Sequence, residues 1–204
     1  MLLSYPLFAQ RDHRWQHARL GSSDTTIGGD GSAITSMAMM VDMTPPEVNA
    51  RLLDAGCFSG HEIDISSIPY ELVFDGKIRY WGQSDWFGDV VSEKEMAKLR
   101  QHMMSGLPAL VRVASTPDMT EAKYHTMLAL GITHDSEIVV SDPWYAVTAP
   151  MYLNGRQWWK RVLSKVTHIR WGGVYGDSSV IAIRQIHYFH KKPEELSGHD
   201  MLWS

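Results

Sequence analysis

The chain of 204 residues contains a single cysteine, Cys57, and this scarcity limits its covalent chemistry. One cysteine excludes an intramolecular disulfide and a cysteine-based zinc site. No apolar run approaches the roughly 20 residues of a bilayer-spanning helix. The start, Met1–Leu3, also lacks the basic flank and the longer apolar stretch of a secretion signal. We expect a soluble protein that acts in the cytoplasm, or one that is exported or injected without a recognisable signal peptide.

An excess of basic charge is missing as well. The formal net charge is -4, and basic clusters such as Lys160-Arg161 are short. A phosphate backbone is held by many lysines and arginines, so we expect no nucleic-acid partner. His187 and His190 are spaced by three on a predicted strand, where such side chains point to opposite faces. The sequence therefore indicates neither a metal site nor any other cofactor.

The composition is that of a compact globular protein. Hydrophobic residues make up 44% of the chain and charged residues 21%, which argues against a disordered or fibrous architecture. No internal repeat is visible, and the length suits one domain with a sizeable core. We predict one domain over residues 1–190 and a peripheral C-terminal tail over residues 191–204, and we leave the oligomeric state open.

Three helical patterns occur in the first half of the chain. Apolar residues at helical spacing predict a buried helix over Ser32–Met43. Thr44 is a suitable N-cap, is followed by two prolines and has Glu47 three positions later, which predicts a second helix ending at Asp54. The same kind of start predicts a third helix over Ser92–Met104. The lead-in before the first helix is rich in glycine, aspartate and serine, and we expect it to be irregular.

Short runs typical of strands dominate the second half. Helices early and strands late predict an α+β fold with segregated elements. We leave Ile63–Phe74 unassigned and interpret Trp81–Gly88 as a loop. The predicted strands are Leu110–Val113, Tyr124–Ile132, Glu137–Ser141, Thr167–Trp171 and Val180–Phe189.

Four side chains form a candidate site for nucleophilic acyl transfer, which needs a nucleophile, a base, a group that orients the base and an oxyanion donor. Ser32 begins a helix, whose N-terminus favours a developing anion. His125 opens one strand and Asp142 ends the next. Because a short hairpin joins these strands, we expect the two residues to lie together. Gln10 precedes the helix and supplies a side-chain amide for an oxyanion.

Each of these residues has a simpler structural interpretation when it is taken alone. Ser32 is then a helix N-cap, His125 a hydrogen-bonded core histidine and Asp142 the opening of a turn. Gln10 alone carries no information. Cys57 we interpret as a buried small apolar residue, not as a second nucleophile. Only the ordered set of four is specific.

The segments around these residues resemble the bacteriocin-processing-peptidase-like family of papain-like cysteine peptidases. The resemblance spans roughly Leu7 to Trp144 and covers the lead-in, the first helix and the later strands. It is carried by Leu7–Trp15, Leu20-Gly21, Thr26–Gly28, Gly31–Ser36, Met39, Gly106–Val111, Tyr124-His125, Leu130-Gly131 and Val140–Trp144.

The resemblance implies a papain-like fold with a helical part that carries the nucleophile and an antiparallel sheet that carries histidine and aspartate. It implies that Gln10 is the oxyanion donor, that His125 is the base and that Asp142 orients it. Ser32 stands where the family has its nucleophilic cysteine. We predict that three residues near these groups bind the substrate: Gly31, Tyr124 and Trp144.

The function expected from this resemblance is hydrolysis of peptide or related amide bonds, in a bacterial or phage setting. With Ser32 the chain is expected to be inactive, and we favour an engineered Cys→Ser replacement over a natural loss because the other three residues are intact. The alternative is a natural pseudo-peptidase that binds a peptide or protein. Precursor processing, cleavage of peptidoglycan peptides, removal of a conjugated protein and transfer to an amine or thiol all stay open.

Overall fold

The computed structural model of the protein describes residues 3–85, 92–114, 124–132, 138–144, 147–151 and 182–191. The helices lie mainly in the first half of the chain, and most of the long strands lie in the second half. The helices are α1 (Ile27–Asp30), α2 (Ser32–Val41), α3 (Pro45–Asp54), α4 (Tyr70–Val73) and α5 (Glu93–Met104). The strands are β1 (Phe58–Ser59), β2 (Glu62–Ile63), β3 (Ile78–Gln83), β4 (Ala109–Ala114), β5 (Tyr124–Ile132), β6 (Ile138–Asp142), β7 (Val147–Met151) and β8 (Ala182–Lys191).

The long strands form one antiparallel sheet in the order β3-β8-β4-β5-β6-β7, and β1 pairs with β2 separately. This arrangement confirms the predicted α+β class. The β5–β6 pairing brings Leu128 opposite Ser141. Since antiparallel neighbours run in opposite directions, the beginning of β5 lies beside the end of β6. The sheet thereby positions the two ends that carry His125 and Asp142.

Apolar side chains cover both faces of the sheet, because successive residues of a strand point to opposite sides. Leu110 and Leu128 belong to a core with the apolar residues of α2 and α3. Val111 and Met127, their neighbours along the strands, belong to a second core with α5. The sheet is therefore packed between α2 on one face and α5 on the other.

The predicted helices are observed with small shifts at their ends. Thr44 caps α3, and its backbone N–H donates to the Glu47 carboxylate at 2.7 Å. The Ser92 hydroxyl accepts from the Glu95 N–H at 3.2 Å and begins α5. Helix α2 ends at Val41, two residues before the predicted end, because Asp42 adopts a left-handed conformation with φ 52°. A left-handed residue at this position terminates helices.

Other parts of the prediction need correction. The loop predicted over Trp81–Gly88 is wrong for residues 81–83, which belong to β3 and pair with β8. The unassigned stretch Ile63–Phe74 holds the end of β2 and all of α4, and the lead-in holds α1. The strand predicted over Thr167–Trp171 lies outside the described residues, as do residues 192–204. Lys191 is the last residue of β8, and the division into domain and tail stays a prediction.

Candidate active site

A buried histidine and a buried aspartate form the centre of the site. His125 Nε2 and Asp142 Oδ1 are 2.7 Å apart, and the two residues are 3% and 2% exposed. The backbone N–H of Trp144 donates to the same carboxylate oxygen at 2.8 Å. Because the carboxylate accepts, Nε2 carries the hydrogen, and Nδ1 is the basic nitrogen of the neutral ring. The hairpin places this pair where the order of residues along the chain predicts it.

Ser32 is the first residue of α2 and lies against the beginning of β5. Its Oγ accepts a hydrogen bond from the Thr126 backbone N–H at 3.3 Å, and the residue is 8% exposed. Thr126 directly follows His125 in the chain. The N-cap of α2 is Gly31, so the simple interpretation of Ser32 as a helix cap is wrong. The positive end of the helix dipole faces position 32.

Gly31 permits the close approach of α1 and α2 just before Ser32. A Cβ atom at this position would lie 2.4 Å from the Ile27 carbonyl oxygen and 2.8 Å from the Ile27 Cα. Real side chains do not tolerate such contacts with backbone, so any larger residue would displace the start of α2. This packing explains the glycine, and the role of Gly31 in substrate binding stays a prediction.

Gln10 connects the lead-in to both halves of the site. Its backbone N–H donates to the Pro143 carbonyl at 2.7 Å, beside the aspartate. Its side-chain Nε2 donates to the carbonyls of Gly28 and Gly29 at 3.2 and 3.4 Å. An amide nitrogen carries two hydrogens, so an oxyanion would replace one of these carbonyls as the acceptor, and the role of Gln10 as oxyanion donor stays a prediction. Gln10 is 1% exposed, and no described residue bonds to its buried Oε1.

These groups share one open cleft of about 980 Å³ between the helical part and the sheet. Its wall includes Gln10, Ser32, Tyr124, His125 and Trp144. A cleft of this size accommodates a stretch of peptide rather than a single small side chain. The structure thus brings the predicted nucleophile position, base, amide and two predicted substrate-binding residues to one surface, with the aspartate behind the histidine.

Trp144 and Arg11 cover the buried pair. The Trp144 ring lies edge-on to the His125 ring with centroids 6.4 Å apart. The Arg11 guanidinium carbon lies 3.9 Å from the centre of the same tryptophan ring. This cover keeps bulk water away from the histidine and carboxylate, which strengthens their interaction. Sequence reasoning did not identify Arg11 as part of the site, because no local pattern marks a cation that stacks on a distant tryptophan.

Cys57 also lines the cleft, but no described residue lowers the pKa of its thiol. It is half-buried, not fully buried as predicted. Its Sγ lies 3.8 Å from the Ala55 carbonyl oxygen, and burial raises the pKa of the thiol. A reactive cysteine needs the opposite shift. Cys57 is therefore a useful internal reference for an unactivated thiol.

A comparison with protein families matches residues 2–166 to the Peptidase_C39 like family. The chain belongs to this family. A search of curated proteins finds no match. Membership of the Peptidase_C39 like family supports a cysteine-peptidase-like function of the hydrolase class, with a peptide as the expected kind of substrate. The α+β arrangement described above is consistent with the papain-like fold that the sequence predicts.

Neither a membrane-spanning helix nor a group of metal ligands is found among the described residues. In the part of the chain that the structure describes, no helix is long and apolar enough to cross a bilayer. Across the same ranges, His, Cys, Asp and Glu side chains form no group of three or more with the placement of metal ligands.

Proposed function

We propose that this chain is a papain-type amide hydrolase in which Ser32 occupies the position of the nucleophilic cysteine, so that the serine form is inactive. The observation that carries the proposal is the buried His125–Asp142 pair beside Ser32 in an open cleft. The family comparison supports the same class of chemistry. Gln10 is assigned as an oxyanion donor and Trp144 as a cover of the pair.

With cysteine at position 32, the residues would act in a defined order. His125 Nδ1 takes the thiol proton, and the thiolate attacks the carbonyl carbon of the scissile amide. The backbone N–H of residue 32 and the Gln10 amide stabilise the oxyanion. His125 then donates its proton to the leaving amine, and water hydrolyses the thioester with His125 again as the base. Asp142 holds the ring in one orientation throughout.

A serine at this position lacks the property on which the chemistry depends. A thiol at a helix N-terminus beside a protonated histidine exists as a thiolate, whereas a hydroxyl keeps its proton. Loss of a catalytic nucleophile reduces turnover by roughly a thousandfold or more.

The direct test is hydrolysis by a Ser32→Cys variant in a Cys57→Ala background. A mixture of short peptides and unfolded protein substrates is incubated with the variant, and new amino termini are identified by mass spectrometry. We expect cleavage at least roughly a thousandfold faster than with the Ser32 chain. The matched control is Ser32→Ala in the same background, which should cleave nothing. Equal, background-level cleavage by both variants would refute the proposed activity.

The origin of Ser32 has two explanations with different consequences. We propose an engineered replacement, because Gln10, His125 and Asp142, the other three residues of the predicted set, are all present. A coding sequence with a cysteine codon at position 32 supports that account. A native serine codon favours a pseudo-peptidase that binds peptide without cutting it, for which the satisfied Ser32 hydroxyl and the open cleft are suitable. Peptide binding by a chain whose Ser32→Cys form cuts nothing would identify this second function.

The acceptor of the acyl group is a separate question within the proposed chemistry. Water gives hydrolysis, whereas an amine or thiol acceptor gives transfer. The two outcomes differ in product mass, so adding a small amine to the Ser32→Cys reaction distinguishes them. We propose water as the acceptor, because the cleft that Ser32 lines is open. A product mass that includes the added amine would show transfer.

A further inference from the structure

Arg112 lies on β4, the strand next to the one whose backbone contacts the nucleophile position. On β4 it pairs directly with Thr126 of β5, and the Thr126 N–H is the group that donates to Ser32 Oγ. Directly opposed residues in an antiparallel pair are separated by about 5 Å between Cα atoms. Arg112 also lines the same cleft as Ser32. A substrate bound across Ser32 therefore passes close to this guanidinium.

An aromatic ring lies against the Arg112 guanidinium. Its central carbon lies 4.6 Å from the centre of the Tyr124 ring, and Tyr124 immediately precedes His125 in the chain. A guanidinium stacked by one face presents its N–H groups around the edge. It offers five donors in a planar fork, so it can serve protein acceptors and a ligand carboxylate together. The stack thus prepares the group for planar, bidentate recognition.

Arg112 is less exposed than the other charged side chains of the cleft. Arg11, Asp30, Glu62 and Asp64 line the same cleft and are all exposed, whereas Arg112 is only partly accessible. Exposed ions stay hydrated and contribute little to binding. A partly desolvated guanidinium gains much more from a carboxylate that reaches it. Arg112 is therefore the cation of the described cleft from which a bound carboxylate gains most.

Neighbouring groups act on the Arg112 charge in both directions. Burial lowers the pKa of Arg112, and the carboxylates of Glu62 and Asp64 act in the opposite direction without cancelling the effect. The Asp64 Oδ1 accepts from the Ser66 N–H and hydroxyl at 2.9 and 2.6 Å, within its own turn. Burial lowers the pKa of His187 most, and the charge of Arg112 lowers it further. The charge of Arg112 therefore acts on this part of the sheet face, where the carboxylates of Glu62 and Asp64 partly offset it.

We propose that Arg112 is a specificity-determining residue that binds a carboxylate of the peptide substrate near the scissile bond, an inference that rests on the proposed function. The carboxylate belongs either to an acidic side chain or to the C-terminus of the substrate. The Tyr124 ring lies against the guanidinium, and Arg112 and Ser32 line the same cleft, so the carboxylate would lie near the bond that is cut. The predicted substrate class is therefore a peptide with a carboxylate near the scissile bond.

The test compares matched peptides with the Ser32→Cys variant. Peptides that carry glutamate or glutamine at each position around the cleavage site are paired, and a second pair ends in a free carboxylate or an amide. We expect one acidic position to raise kcat/KM by roughly tenfold to a hundredfold over its neutral partner, mainly through KM. Arg112→Gln should abolish this preference, and Arg112→Lys should retain part of it.

The matched control is Arg11→Gln, which removes the other arginine of the cleft and should leave the preference between acidic and neutral peptides unchanged. Circular dichroism and thermal melts establish that each variant is folded. If the ratio of kcat/KM between glutamate and glutamine peptides is unaltered by Arg112→Gln in a folded, active enzyme, the inference is overturned while the proposed hydrolase stays intact.

Binding to the Ser32 chain makes the inference independent of turnover. Titration calorimetry with the same peptide pairs measures the preference without any cleavage. A preference that needs Arg112, combined with no cleavage by the Ser32→Cys variant, would support the carboxylate site and refute the hydrolase. Binding of acidic and neutral peptides with equal affinity, or binding of neither, would overturn the carboxylate site.

Discussion

His125 and His187 are two histidines of the same sheet with nearly equal burial and different surroundings. They are 3% and 2% exposed. His125 has Asp142 at 2.7 Å and opens onto the cleft. The Nδ1 of His187 lies 3.2 Å from the Tyr80 hydroxyl, and among the described residues nothing bonds to its Nε2. Burial alone therefore does not make a base, and the partner carboxylate distinguishes the two.

The difference shows how one sheet uses the same side chain for two purposes. A carboxylate stabilises the protonated ring that forms during acyl transfer. A hydroxyl partner gives no such stabilisation, and burial lowers the pKa of His187 to about 4. His187 is therefore neutral at physiological pH and suits packing, not proton transfer. Each histidine can be changed to test this contrast.

The largest expected effect is on turnover, measured in the Ser32→Cys background. His125→Ala should reduce kcat/KM by roughly a thousandfold or more, because the base and the thiolate partner are both lost. His187→Asn, which retains a polar atom near the Tyr80 hydroxyl, should change it by less than about threefold. The assay is the initial rate of peptide cleavage at about pH 7.5, where His187 is neutral.

Asp142→Asn is tested in the same Ser32→Cys background. Its loss of kcat/KM should lie between the losses for His125→Ala and His187→Asn. The amide keeps a polar group beside His125 Nε2 but no longer stabilises the charged ring, as expected for a positioning residue. A loss for His187→Asn as large as the loss for His125→Ala, in folded proteins, would remove the distinction between the two histidines.

A smaller effect is expected on stability at acid pH. The pKa of His187 is about 4 in the folded protein and about 6.5 in an unfolded chain. The unfolded state therefore binds the proton more readily, and the stability that the neutral ring contributes is lost as the pH falls from about 6.5 to about 4. The two pKa values correspond to a loss of about 3 kcal/mol over this window.

Urea unfolding at several pH values between about 7.5 and about 4 measures this loss. The free energy of unfolding should fall less steeply for His187→Asn than for the unchanged chain. His61→Asn, which removes an exposed histidine, is the matched control and should keep the original slope. Parallel curves for the chain and for His187→Asn would contradict the burial of a neutral histidine.

The sequence predicted those parts of the fold that depend on local patterns. Helices α2, α3 and α5 begin where their apolar spacing and caps place them, and β5 has the predicted bounds Tyr124–Ile132. Strand β3 was missed, because Gly82 interrupts its pattern and the strand forms only by pairing with β8, about a hundred residues later. Such a long-range partner leaves no local signal.

The candidate site was predictable to the same extent: a contact set by a local pattern could be predicted, and a contact between distant segments could not. The contact between His125 and Asp142 was predictable, because a hairpin determines which strand ends meet. The Thr126 N–H at Ser32 and the Arg11 stack on Trp144 were not predictable, because both join segments that are distant in the chain. Arg112 was missed for a similar reason, since a single cation in an apolar strand carries no pattern until its neighbours are known.

The most direct test of the central claim is the pH dependence of thiol alkylation at position 32. Iodoacetamide is reacted with Ser32→Cys in a Cys57→Ala background, and the unchanged chain supplies Cys57 as the reference thiol. We predict that the thiol at position 32 ionises below about pH 7, that alkylation there is faster than at Cys57 at about pH 6, and that His125→Ala removes the advantage. Alkylation at position 32 that is no faster than at Cys57, with or without His125, would contradict the account.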